Sequence, residues 1–283
     1  MTNPRFGAGD LGPGSDSPGP SSFPRSSGPS SSGLSSSGEG ALPPGFPLPP
    51  DELRGVAEEI FGDRLPVAVR YAELLGTDGV IRGLIGPRET PRLWERHLIN
   101  CGVMAEIIPF GASVVDIGSG AGLPGIVLAV ARPDLAITLV EPLARRTAFL
   151  DEAVDELGLD NVMVIRGRAE EVAGHLEADI VTARAVAALD KLAGWCLPLA
   201  KVGGRLLALK GASAADEVAE HGQALSDLGG GEVAVRLCGV GLIEPPATVV
   251  DVVKERQPSP VRARSENSRA AERGGGRKKT RRR

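Results

Sequence analysis

The sequence predicts an α/β protein: a mixed, mostly parallel seven-stranded sheet, with a helical cap before it and an antiparallel pair of strands at its end. Three observations predict this. Between Ser113 and Gly211, short apolar runs of strand length alternate with longer stretches of helical period, the pattern of a parallel sheet covered on both faces. The first run enters a glycine-rich turn, DIGSGAGLPG at Asp116 to Gly125. The last two runs are joined by a connection too short for a crossover helix, which makes them antiparallel neighbours.

The cap comes first. Leu53, Val56, Ala57, Ile60 and Phe61 recur at helical spacing between Asp51 and Phe61, and a second helix is expected from Pro66 to Leu75. Pro91 to Ile108 reads as a third, with Leu93, His97, Leu98, Cys101 and Ala105 near one side. SVVDIG (Ser113 to Gly118) is then a strand, and Gly125 to Pro133 is the helix after its glycine turn. Ala136 to Pro142, Asn161 to Gly167, Glu177 to Ala185 and Gly203 to Gly211 are the next strands, with helices at Ala144 to Leu159 and Leu189 to Leu199. After a helix around Asp216 to Leu228, Val233 to Val240 and Ala247 to Glu255 form the closing pair.

Composition divides the 283 residues. Residues 1–50 contain 33 Gly, Pro or Ser and few long apolar side chains to offset the entropy of ordering, so they read as a disordered tail. Residues 51–110 are the cap, 111–256 the α/β domain and 257–283 a basic disordered tail. From Arg262 to Arg283 the local charge is +8, against a net −4 for the chain. That tail has no aromatic or apolar face, which leaves phosphate attraction or solubility as its role. The three cysteines are far apart and form no CxxC pair or His/Cys cluster, which disfavours disulfides and zinc. With neither a signal-like start nor an apolar run of about 18 residues, the chain reads as cytoplasmic and off the membrane.

The glycine turn is the candidate ligand site. Gly118, Gly120 and Gly122 permit positive φ and close ligand approach, and Glu141 ends the next strand, 23 residues after Gly118, where a carboxylate can accept from both ribose hydroxyls. Two cofactors compete. Gly120, Gly122 and Gly125 satisfy GxGxxG, so a nicotinamide dinucleotide stays open. Asp116 before the loop favours S-adenosylmethionine, because a carboxylate suits an ammonium or sulfonium and repels pyrophosphate.

ERHLINC (Glu95 to Cys101), VVDIGSGAGLPGIVLA (Val114 to Ala129), LVEPLARRTAFL (Leu139 to Leu150), RAEE (Arg168 to Glu171), TARAVAAL (Thr182 to Leu189) and ALKG (Ala208 to Gly211) occur in this order. On these motifs the chain from about Asp51 to Glu255 resembles the bacterial small-subunit ribosomal RNA guanine-N7 methyltransferases. The resemblance implies a class I S-adenosylmethionine-dependent methyltransferase of Rossmann-like fold, with S-adenosyl-L-methionine as donor. It implies a donor pocket lined by the loop of Gly118, Ser119, Gly120, Gly122, Leu123, Pro124 and Gly125, with Glu141 at the ribose and Ala169 and Glu170 at the adenine; Asp116 joins this set on the charge of its carboxylate alone. Arg184 and Lys210 match basic residues near donor and target base, and Arg96 with His97 matches an Arg-His pair. The implied partner is 16S ribosomal RNA or the small ribosomal subunit particle, with the enzyme a monomer. Asn100 and Cys101 stand where the family often has Asp and Ser.

The chemistry fits this residue set. Guanine N7 carries a lone pair and no proton, so its methylation needs alignment rather than a general base. Arg184 and Lys210 fall near the C-terminal ends of their strands, where α/β sheets bind ligands, and suit a phosphate or guanine O6; the alternative is an ion pair with strand-end carboxylates. His97 reads as structural. Arg92, Arg96, Arg145, Arg146, Arg166, Arg168 and the tail are the expected salt-sensitive RNA patch. Competing functions are methylation of another RNA or a small molecule, a nicotinamide oxidoreductase, and a non-catalytic RNA-binding assembly factor.

Overall fold

The computed structural model describes residues 48–184 and 187–257. The disordered-tail readings, apart from residues 48–50 and 257, and Ala185 fall outside the described residues. The cap opens with α1 (Asp51–Phe61) and α2 (Leu65–Leu74), and the latter runs on through a π-helical turn at Leu75–Gly79. The helix expected over Pro91 to Ile108 is a succession of turns. A 3-10 turn (Thr90–Arg92) leads into a π turn (Trp94–Ile99), then α3 (Asn100–Gly102), then a second 3-10 turn (Val103–Ile107). Wide turns of this kind cluster at functional sites, and this one carries Arg96 and His97.

The sheet is built from β1 (Ser113–Ile117), β2 (Ala136–Glu141), β3 (Val162–Arg166), β4 (Ala178–Arg184), β5 (Ala200–Lys210), β6 (Gly230–Cys238) and β7 (Ala247–Lys254). Their order is β3-β2-β1-β4-β5-β7-β6. β7 lies antiparallel between β5 and β6, so the expected closing pair is present and sits at one edge. Helices α4 (Gly125–Ala131), α5 (Ala144–Leu157), α6 (Ala169–Val172), α7 (Leu189–Cys196) and α8 (Ala214–Asp227) cover the faces. β5 begins three residues earlier than its apolar run, because Ala200 pairs with Ala178 before a register shift.

The two faces hold separate cores. Val114, Ile137, Leu139, Ile180, Leu207 and Leu209 pack with the cap, α4 and α5. Val115, Val140, Val181, Ala183, Leu206 and Ala208 pack with α7 and α8. Strand alternation therefore puts Asp116 and Arg184 on the cap face and Lys210 on the α7/α8 face. Chain order reverses between β1 and β4, so the crevice at their C-terminal ends is the switch point at which such sheets bind ligands.

Two hydrogen-bonded anchors hold the cap on the sheet, one at the end where the strands begin and one at the glycine loop. Arg132, after α4, donates to the carbonyls of Ala105 and Ile108 at 3.0 and 3.1 Å and pairs with Asp134. Tyr71 of α2, fully buried, donates its hydroxyl to the carbonyl of Ala121 in the glycine loop at 2.6 Å. Tyr71→Phe leaves that carbonyl buried without its partner and is expected to lower stability by about 1–3 kcal/mol in urea unfolding. An unchanged midpoint would show that the loop does not depend on this bond.

Candidate active site

Six amide donors of the Gly118–Gly125 loop are already bonded within the fold. Gly118 and Ser119 donate to the Val140 carbonyl at 2.9 and 3.3 Å, Gly122 and Leu123 to that of Ser119 at 2.7 and 3.1 Å, and Ile126 to that of Gly122 at 2.8 Å. Gly120 N–H donates to Glu141 Oε2 at 3.0 Å, and Gly125 N–H to Asp116 Oδ2 at 3.1 Å. A pyrophosphate needs such donors free at a helix start. Here a buried carboxylate occupies that position, which removes the physical basis of the dinucleotide alternative.

Asp116 is fully buried, and its Oδ1 has no hydrogen-bond partner. Burial pushes its pKa up to about 7, opposed by the Gly125 amide. A buried carboxylate with one oxygen unspent is the complement of a cationic ligand, and S-adenosylmethionine brings an ammonium and a sulfonium. Gly118, Gly120 and Gly122 all have positive φ, at 67°, 59° and 93°, so the loop wraps closely as only glycine readily permits. On both counts the residues fit the donor.

Because folding raises this pKa above the unfolded aspartate value, protonation is favoured in the free protein, and the stability linked to it is lost as pH rises from about 4 through about 7. Binding a cation favours the ionised form. S-adenosylmethionine affinity is therefore expected to rise with pH up to about 7, approaching tenfold per unit on the acid side, and Asp116→Asn should flatten the slope. Titration calorimetry across that range checks it, and an unchanged slope in the variant rules out Asp116 as its source.

A cleft of about 350 Å³ lies beside the loop, lined by Gly118, Glu141, Ala169, Glu170, Arg146, Arg168 and Trp195 among others. Glu141, buried, accepts from Gly120 through one oxygen and from Leu143 N–H at 3.0 Å through the other, leaving a lone pair on each for ribose hydroxyls. Gly118, Glu141, Ala169 and Glu170 thus line one cleft. Ser119, Gly122, Leu123, Pro124 and Gly125 are buried and do not line this cleft; they shape the loop from behind. Trp195 was missed, since a tryptophan in an amphipathic helix reads as core; its half-buried indole offers a flat wall to a purine.

A second cleft, of about 800 Å³, opens at the C-terminal ends of β4 and β5, with Arg184, Lys210, Asn100, Ile99 and Glu217 in its walls. Arg184 donates to Cys101 Sγ at 3.3 Å and to His97 Nδ1. Burial, reinforced by the Arg184 charge, pushes His97 down to about 4, so it is neutral at pH 7. Its Nδ1 accepts from Arg184 while its Nε2–H donates to Glu89 at 3.2 Å. Arg184 therefore makes no ion pair among the described residues, in contrast to the alternative expected for it. Lys210 does: it bonds Glu217 at 2.7 Å and the Ala187 carbonyl at 2.8 Å and is almost fully buried.

A Rossmann-like sheet with a lone antiparallel strand, an inward-bonded glycine loop and an acidic residue ending the second strand define a class I S-adenosylmethionine-dependent methyltransferase. The chain belongs, more particularly, to the rRNA small subunit methyltransferase G family, which it matches over residues 64–242. Ribosomal RNA small subunit methyltransferase G of Salinispora tropica is 63% identical over 221 residues, covering 76% of this chain and 91% of its own. That of Thermobifida fusca is 62% identical over 196 residues, covering 69% and 83%. Among solved structures, a SAM-dependent O-methyltransferase from Thermotoga maritima superposes with a TM-score of 0.45 at 16% identity, over 61% of this chain and 72% of that one.

Proposed function

We propose that this chain methylates N7 of a guanine in small-subunit (16S) ribosomal RNA, with the donor held at the Glu141 cleft and the base in the Arg184 cleft. One observation carries the choice of atom. Neither the imidazole nor the thiol beside the second cleft is free to take a proton: His97 and Cys101 both accept from Arg184, and burial raises the Cys101 pKa. N7 has no proton to remove, so a site built this way suits it.

S-adenosylmethionine supplies an electrophilic methyl group on a positive sulfur. The loop and Glu141 fix the donor's position, and Asp116 supplies the counter-charge beneath the loop. Two N–H groups of the Arg184 guanidinium are taken by His97 and Cys101, and the others remain for the acceptor. Catalysis is then alignment of N7 with the methyl carbon. Action as a cytoplasmic monomer, on free RNA or on the small subunit particle, belongs to the same reading. Among the described residues no helix is long and apolar enough to cross a membrane.

The test is incubation of the protein and methyl-labelled S-adenosylmethionine with small-subunit RNA, and with particles, from cells lacking the modification. Label mapped to one guanine N7 is expected. Donor binding without label on either substrate would exclude ribosomal RNA as the acceptor.

A further inference from the structure

The methyl transfer leaves guanine with a positive ring, and a cleft walled by Arg184 and Lys210 opposes that charge unless an anion faces the base. Three carboxylates line the cleft. Glu244 is exposed, and Glu95, 57% exposed, is engaged with Arg92. Glu217, on the first turn of α8, is only 22% exposed and lies 2.7 Å from Lys210 Nζ. Its Oε2 accepts from Lys210 and from Leu189 N–H at 3.2 Å, which fills that oxygen, while Oε1 has only a long bond from Ser213 at 3.3 Å. Lys210 has three donors and uses two, on Glu217 and the Ala187 carbonyl.

One spare donor thus stands beside one spare acceptor. Guanine presents the complement, an O6 acceptor next to an N1–H donor, whereas adenine presents a donor next to an acceptor. We infer that Glu217 and Lys210 form the base-reading pair of this cleft, Lys210 donating to O6 and Glu217 accepting from N1–H. This rests on the guanine-N7 reading above. The hydrogen bond from Lys210, reinforced by its charge, holds the Glu217 pKa down, so the acceptor is a carboxylate at neutral pH. As N7 is alkylated, N1–H becomes more acidic and its bond to Glu217 strengthens, which is stabilisation specific to the transition state.

The experiment compares small-subunit RNA carrying guanine, inosine or adenine at the labelled position, with wild type, Glu217→Gln and Glu217→Ala, alongside S-adenosylmethionine affinity for each protein. Wild type should methylate inosine, which keeps O6 and N1–H, within about threefold of guanine, and adenine at least about 100-fold less. Glu217→Gln, whose amide can donate to adenine N1, should lose at least about tenfold on guanine and raise the adenine-to-guanine ratio at least about tenfold, with donor affinity unchanged. A lower rate with an unchanged ratio would make Glu217 a strut for Lys210 and overturn the inference. So would rejection of inosine by wild type, an arm that needs no variant to fold. Absence of label on guanine RNA with wild type overturns the guanine reading itself.

Discussion

Gly122→Val is expected to abolish measurable S-adenosylmethionine binding, with a loss of at least about 100-fold in affinity. Gly122 has φ of 93°, a conformation costing a β-branched residue roughly 1–2 kcal/mol or more. A Cβ there would lie 2.5 Å from Ile126 Cδ1 and 2.9 Å from Tyr71 Oη. The isoleucine tip can swing away, but the tyrosine cannot without giving up its bond to Ala121. Strain and clash therefore fall on the segment whose amides orient Glu141 and Asp116 through Gly120 and Gly125. Calorimetry with S-adenosylmethionine, beside circular dichroism to establish that the sheet is intact, measures the effect. Binding within tenfold of wild type would show that the loop tolerates rearrangement.

Much of this architecture is legible in the sequence because each feature is local. A strand such as Ser113–Ile117 declares itself by an apolar run, and the turn after it by glycines that few other residues could replace. Glu141 is legible through its spacing from that turn. What is hidden depends on packing across the chain. Arg184 meets His97 from 87 positions away, through a π turn whose register no period-3.6 pattern discloses. Alternation along β4 and β5 separates Arg184 and Lys210 onto opposite faces, although both reach one cleft.

The expected basic patch also divides. Arg92 and Arg96 are paired with Glu95 and Glu89, and Arg146 lies 3.7 Å from Glu141. Arg145, Arg166 and Arg168 gather around the ends of β2 and β3, since Glu141 and Arg166 are register neighbours, and they are exposed. The sequence counts charges of one sign along a segment, while the fold decides which meet a partner. Exposed pairs such as Arg92 with Glu95 are worth little and yield readily to phosphate. Among the described residues Arg145, Arg166 and Arg168 make no ion pair, so phosphate is expected to reach this part of the proposed patch without breaking one.

Arg184→Lys is expected to reduce kcat by roughly 100–1,000-fold while leaving donor affinity within about threefold. The charge survives this change, but the geometry does not. A guanidinium can bond His97 and Cys101 through separate nitrogens and still present donors to the cleft, whereas an ammonium gathers its donors at one point on a shorter reach. His97→Ala should cost less, about tenfold in kcat, because Cys101 still tethers one side of Arg184; the double variant should lose little more than Arg184→Lys alone, since His97 acts only through the arginine. Burial holds the His97 pKa near 4, so wild-type kcat should show no titration of this imidazole between about pH 5 and 8, and should fall only where protonation near 4 sets two cations against each other. A titration near pH 6.5 that vanished in His97→Ala would instead make His97 a proton acceptor. The acceptor atom would then carry a proton to be lost, which guanine N7 does not.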